Sequence, residues 1–88
     1  MKKNSICTIV KDEGIEDNFK AYISYSGIRE MKFLSFTVKY VSGNKPDGNF
    51  MFPLDNVGHP DKPLVINKCR FLVQEYSPER VIMKYIGK

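Results

Sequence analysis

The sequence contains no tryptophan, a single alanine (Ala21), a single histidine (His59) and only two cysteines, Cys7 and Cys69, far apart in the chain. Each scarcity narrows the range of functions. Neither cysteine belongs to a C-x-x-C pair or lies near a second sulfur or imidazole, so neighbours in sequence cannot supply the ligands of a structural zinc site. No glycine-rich loop of the G-x-x-x-x-G-K-[ST] or G-x-G-x-x-G kind is present to cradle a phosphate. No apolar run approaches the roughly 20 residues of a membrane span, and no charged start leads into an apolar stretch of signal-peptide length. The expectation is a cytoplasmic protein with reduced thiols and no membrane partner. A secreted domain stapled by a disulfide is the alternative.

What the sequence does contain is β-forming. Its 88 residues suffice for one hydrophobic core and one domain, 1–88, and 42% of them are apolar. Ile and Val dominate the aliphatics, and β-branched side chains lose rotamer freedom in a helix but pack well on a pleated surface. The fold class read from this is mainly β, with about five mostly antiparallel strands forming a sheet or a small half-open barrel.

The elements follow from alternation and turn chemistry. Ser5 to Lys11 is a β-branched run, ended by the acidic stretch Asp12-Glu13-Gly14-Ile15-Glu16-Asp17, which reads as an exposed loop or a short helix start. Phe19, Ala21, Ile23 and Tyr25 then alternate with more polar neighbours. The clearest strand is Met31 to Val41, where Leu34, Phe36, Val38 and Tyr40 lie on one face and Ser35, Thr37 and Lys39 on the other. Pro46 and Gly48 mark a hairpin tip over 42–49, and Phe50-Met51-Phe52 returns as a short strand. Pro53 and Pro63 bracket an irregular connection of about ten residues, long enough to flag for function.

Leu64 to Tyr76 fits one long bent strand or two short ones. The segment after Tyr76 supports two readings. Ser77-Pro78 is a good helix start, with Ser77 as cap and Pro78 at the first helical position, and a helix over 78–87 gathers Val81, Ile82, Tyr85 and Ile86 on one face. A hairpin turn followed by a final strand is the alternative. The cap and the break in alternation at Val81-Ile82 favour the helix, which would make the fold α+β.

Charge is unevenly placed. The net charge is +4, yet residues 1–61 are balanced, and the excess lies in the last third with Lys62, Lys68, Arg70, Arg80, Lys84 and Lys88 against Glu75 and Glu79. A basic region of this kind suits an anionic partner. Catalysis lacks a positioned acid, base or nucleophile. His59 between Asp55 and Asp61 is the one cluster of the right residue types, and it lies in a proline-rich loop without fixed spacing. No catalytic residue, metal or cofactor is therefore expected.

Nucleic-acid binding by a small basic barrel needs cations and aromatic rings on one face. In Lys32-Phe33, Lys39-Tyr40 and Arg70-Phe71 they are adjacent, which in a strand puts them on opposite faces. The function expected is thus a non-enzymatic binding module, a small regulator or inhibitor that docks on another protein, with homodimer formation through an edge strand as a further expectation. Its Lys/Ile/Asn-rich composition is analogous to that of small phage and mobile-element inhibitors. The rival is nucleic-acid binding through the C-terminal third. Candidate contact residues are Lys68, Arg70, Tyr76, Arg80, Lys84 and Lys88 in the basic third, Asn44, Lys45 and Asp47 at the hairpin tip, and Asp55 and His59 in the proline-bracketed loop.

Overall fold

Among the described residues, eight strands follow one another and fold into two antiparallel sheets. A computed structural model describes residues 2–17, 20–40 and 46–87. The strands are β1 (Ile6–Val10), β2 (Gly14–Glu16), β3 (Ala21–Arg29), β4 (Phe33–Tyr40), β5 (Gly48–Pro53), β6 (Leu64–Ile66), β7 (Cys69–Tyr76) and β8 (Arg80–Gly87), with one 3-10 turn at Leu54–Asn56. Sheet A has the order β1-β8-β7-β6 and sheet B the order β2-β3-β4-β5. The chain crosses between them at two corners, β1 to β2 and β5 to β6, and the strands do not close into a barrel. Asn44, Lys45 and Lys88 lie outside the described residues.

The two sheets share one core. Ala21, Ile23 and Tyr25 of β3 and Leu34, Phe36 and Val38 of β4 face Phe71, Val73, Val81, Met83 and Tyr85 of sheet A. Their spacing of two is what a pleated strand requires to bury one face. The shortest dimension of the molecule, 19 Å, is that of two stacked sheets with their side chains. Phe36 lies 5.4 Å from the Tyr25 ring and 5.9 Å from Phe52.

The mainly β reading stands, with more strands than the five or so expected: β2 lies in the acidic stretch, β8 replaces the helix, and Leu64–Tyr76 is two strands rather than one. Glu30 and Met31 have φ of 53° and 58°, and Asn67 and Lys68 have 47° and 70°. Glu30-Met31 lie in the three-residue loop between Arg29 and Phe33, where the Lys32 amide donates to the Arg29 carbonyl at 3.0 Å, and Asn67-Lys68 form the two-residue turn between Ile66 and Cys69, a role usually filled by Asn-Gly. The second turn divides Leu64–Tyr76 into β6 and β7. The acidic stretch also holds a strand, β2, laid so closely on β3 that a Cβ on Gly14 would stand 2.5 Å from the Ile23 carbonyl oxygen.

The C-terminal helix over 78–87 is absent, and the segment is strand β8. Its cap forms nonetheless: the amides of Glu79 and Arg80 donate to Ser77 Oγ at 3.2 and 3.3 Å. The turn it closes is a hairpin, in which Ser77 N–H donates to the Arg80 carbonyl at 2.9 Å. Strand wins because β8 has a partner on each side, β1 and β7, and β-branched residues satisfy both ladders better than an isolated helical turn.

Two polar ties join the sheets at opposite ends of β7. Asp17, only 6% exposed, accepts from the Ala21 amide at 3.0 Å and from Asn67 Nδ2 at 2.8 Å. At the other end the buried Tyr25 hydroxyl donates to the Ser77 carbonyl at 2.7 Å. Burial, with Tyr76 nearby, pushes the Tyr25 phenol up to about 12. The fold therefore favours the neutral phenol, and this contribution is intact below pH 10 and lost as pH rises from 10 to 12. It amounts to about 2 kcal/mol. Denaturant melts of the wild type and Tyr25→Phe across that range should converge, with the variant weaker near neutrality and flatter in alkali.

Candidate functional site

An antiparallel sheet that covers a core on one side ordinarily turns polar residues outward. Sheet A does not. With Cys69, Phe71, Val81 and Met83 inward, the register places Val65 beside Arg70, Ile6 beside Lys84 and Leu72, Thr8 beside Ile82 and Glu75, and Val10 beside Arg80 on the outer face. Ile6, Val65 and Val10 are 58%, 51% and 45% exposed, while Leu72, Ile82 and Ile86 are half-buried. The outer face is thus an aliphatic surface studded with Arg70, Arg80 and Lys84. Glu75 is the one acid among these residues, its Oε1 4.0 Å from Arg80 Nη2.

Three of the sequence-predicted residues, Arg70, Arg80 and Lys84, therefore share this face. Strand geometry keeps Arg80 and Lys84 together, since positions four apart lie on one side of a strand as they do on a helix. It splits the apolar set that a helix would unite, sending Val81 and Tyr85 inward with Met83, and Ile82 outward among the cations. Tyr76 ends β7 at the rim, across from Val81, and the exposed Lys68 sits in the β6–β7 turn. No aromatic ring stands on the outer face among the described residues.

The remaining candidates lie elsewhere. Asp47 precedes β5 and is exposed. Asp55 and His59 belong to the connection between the sheets, where His59 Nε2 lies 3.0 Å from the backbone oxygen of Asp55 rather than against its carboxylate. Leu54 and Val57 of this connection pack on the core, and the Leu54 amide donates to the Lys32 carbonyl at 2.8 Å. The segment is thus a structured crossing between sheets. Among the described residues no group of three His, Cys, Asp or Glu could hold a metal ion, and no helix is long and apolar enough to cross a membrane. Burial raises the Cys7 thiol, partly offset by a Ser5 hydrogen bond, which makes a thiolate nucleophile harder to form there.

The outer face of sheet B is more polar. Thr37 Oγ1 donates to Asn49 Oδ1 and lies 3.3 Å from Ser26 Oγ. Tyr22 stands across from Lys39, and Phe33 across from Arg29. A groove of about 400 Å³ lined by Arg29, Glu30, Ser35, Asn49 and Met51 runs beside the β3–β4 turn, and a second of about 560 Å³ beyond it is lined by Met31, Phe33, Pro53, Leu54 and Asp55. Phe33 lines this second groove and is not part of the core.

The aliphatic outer residues Val65, Leu72 and Ile82 had a signal in the sequence. Leu64-Val65-Ile66, Phe71-Leu72-Val73 and Val81-Ile82-Met83 are unbroken apolar runs, and in a strand such a run is apolar on both faces. Comparison of the chain with family models, curated proteins and solved structures gives no match.

Proposed function

We propose that this domain is a non-enzymatic binding module, a cytoplasmic regulator or inhibitor that docks on another protein through the outer face of sheet A. The observation that carries this reading is the pairing of exposed aliphatics with cations across β1, β8, β7 and β6. Contiguous exposed apolar surface on a small domain marks an interaction site. Arg70, Arg80 and Lys84 select a partner surface that is apolar and acidic, and the single acid, Glu75, repels little of it. Cys7 and Cys69 are thiols rather than halves of a disulfide, which fits a reducing compartment.

The test uses Ile82→Asp and Lys84→Glu, both on the outer face, with Lys39→Glu on sheet B as control. Proteins recovered from a native lysate by the wild type and by the control should be lost with both face variants. Circular dichroism should show all four proteins folded. Equal recovery by wild type and face variants would remove sheet A from the reading.

The rival reading keeps one specific support, the cross-strand pairs Tyr22–Lys39 and Arg29–Phe33, which set rings beside cations on sheet B. Single-stranded nucleic acid binds such pairs by stacking and charge. Its expected mark is oligonucleotide affinity that falls steeply with salt. Loss of that affinity in Arg80→Glu/Lys84→Glu would place the contact in the C-terminal third; loss in Tyr22→Ala would place it on sheet B.

A further inference from the structure

Among the described residues no strand pairs with the outer edge of β1 in sheet A, and the chemistry of that edge is self-complementary. Lys11 N–H donates to the Glu79 carbonyl at 2.8 Å, and Tyr85 N–H donates to the Ser5 carbonyl at 2.9 Å. Because alternate residues of an antiparallel strand direct their amide and carbonyl to a given neighbour, Cys7, Ile9 and Lys11 face β8, as does the Ser5 carbonyl, while the Ser5 amide donates to the Lys2 carbonyl at 3.0 Å. Ile6, Thr8 and Val10 then direct theirs away from the sheet. The Val10 carbonyl accepts from the Glu13 amide at 2.9 Å, and the Ile6 and Thr8 groups face outward at the edge. Native sheets usually guard such an edge with proline, an inward charge or a bulge. β1, Ile6-Cys7-Thr8-Ile9-Val10, has none of these.

We infer that two copies of this chain pair antiparallel through β1, with Thr8 on the two-fold axis, joining the two A sheets into one of eight strands. In this register Thr8 exchanges both backbone hydrogen bonds with its counterpart. The exposed Ile6 of one copy meets the exposed Val10 of the other, twice, as a cross-strand aliphatic pair. Charge fits the same arrangement. Exposed Lys2 and Lys3 precede β1, and exposed Lys11, Asp12 and Glu13 follow it, so antiparallel pairing brings the two cations of each copy to an end of the other where two acids outweigh one cation. Pairing through the outer faces instead would oppose Lys84, Arg70 and Arg80 to a second set of cations. Edge pairing also makes the two outer faces continuous, since Ile6 and Val10 belong to both the edge and the face.

The dimer is a weak one, because a five-residue ladder buries less than the roughly 1,200–2,000 Å² of a stable interface. Sedimentation velocity of the wild type from micromolar to millimolar concentration should show a reversible monomer–dimer equilibrium. Thr8→Pro removes an amide that faces the open edge and leaves the β8 ladder intact, and Thr8→Lys places like charges on the axis. Each should weaken the dimer roughly tenfold or more, one hydrogen bond per copy being worth about 1 kcal/mol. Two further changes test the charge match: Lys2→Glu should weaken the dimer, and adding Glu13→Lys should restore it. A wild type monomeric at every concentration overturns the inference. So does a dimer unchanged in both Thr8 variants, or one abolished by Ile82→Asp and not by them, which would assign the contact to the outer face.

Discussion

Replacing Asp17 by alanine lowers the stability of the fold by about 3 kcal/mol, read as a fall of about 10–20 °C in the thermal midpoint. The side chain is buried, and its two oxygens hold the Ala21 amide at the start of β3 and Asn67 Nδ2 in the β6–β7 turn. One residue thereby ties sheet B to sheet A. Alanine leaves both donors without this acceptor at a position that is 6% exposed. Asp17→Asn separates this cause from a general effect of mutation. Its carboxamide oxygen still accepts from Ala21, and Asn67 can turn its own carboxamide to accept from the new amide, so the loss shrinks to about 1 kcal/mol. Equal losses in the two variants would show that the bonds themselves are not the source.

Phe36→Ala is the second large effect, about 3–5 kcal/mol, against roughly 4–13 kcal/mol for a whole domain of this length. The ring is fully buried between Tyr25 and Phe52, so its removal leaves a cavity in the core. Its neighbour Thr37 faces the opposite way, bonded to Asn49 near solvent. Thr37→Ala should cost less than about 1 kcal/mol. The contrast between adjacent positions tests the register of β4 directly. A slip by one residue would exchange the two results.

That register was legible in the sequence because β4 alternates cleanly and one of its faces meets water. Phe36, Leu34 and Val38 are where alternation put them. Ser35 is an instructive departure. It is polar and on the outer side, as expected, yet buried, because it sits beside Gly27 at a bulge in β3 and across from Met51. The misread C-terminal segment has a different cause. At 78–87 local cap chemistry was real and its consequence was set by β1, a strand at the other end of the chain. The split of Leu64–Tyr76 into two strands, one of the two readings its sequence allowed, falls at Asn67-Lys68, left-handed residues that are not glycine. The cations of the candidate face were identified from charge alone. Their aliphatic company was hidden in runs such as Val81-Ile82-Met83, which a helix and a two-faced strand explain equally well until the partners of β8 are known.

The pairing of β1 with β8 sets the order in which the molecule can be made. Ile6 lies opposite Lys84, so sheet A is incomplete until nearly the last residue of β8 has left the ribosome, a matter of several seconds at about 5–20 residues per second. Sheet B, with all its strands between Gly14 and Pro53, is available much sooner. For that interval Ile6-Cys7-Thr8-Ile9-Val10 is a β-branched strand with neither edge satisfied. Nascent chains on neighbouring ribosomes hold the same strand in the same state, so the speed at which β8 arrives decides whether β1 is first met by its own chain or by another.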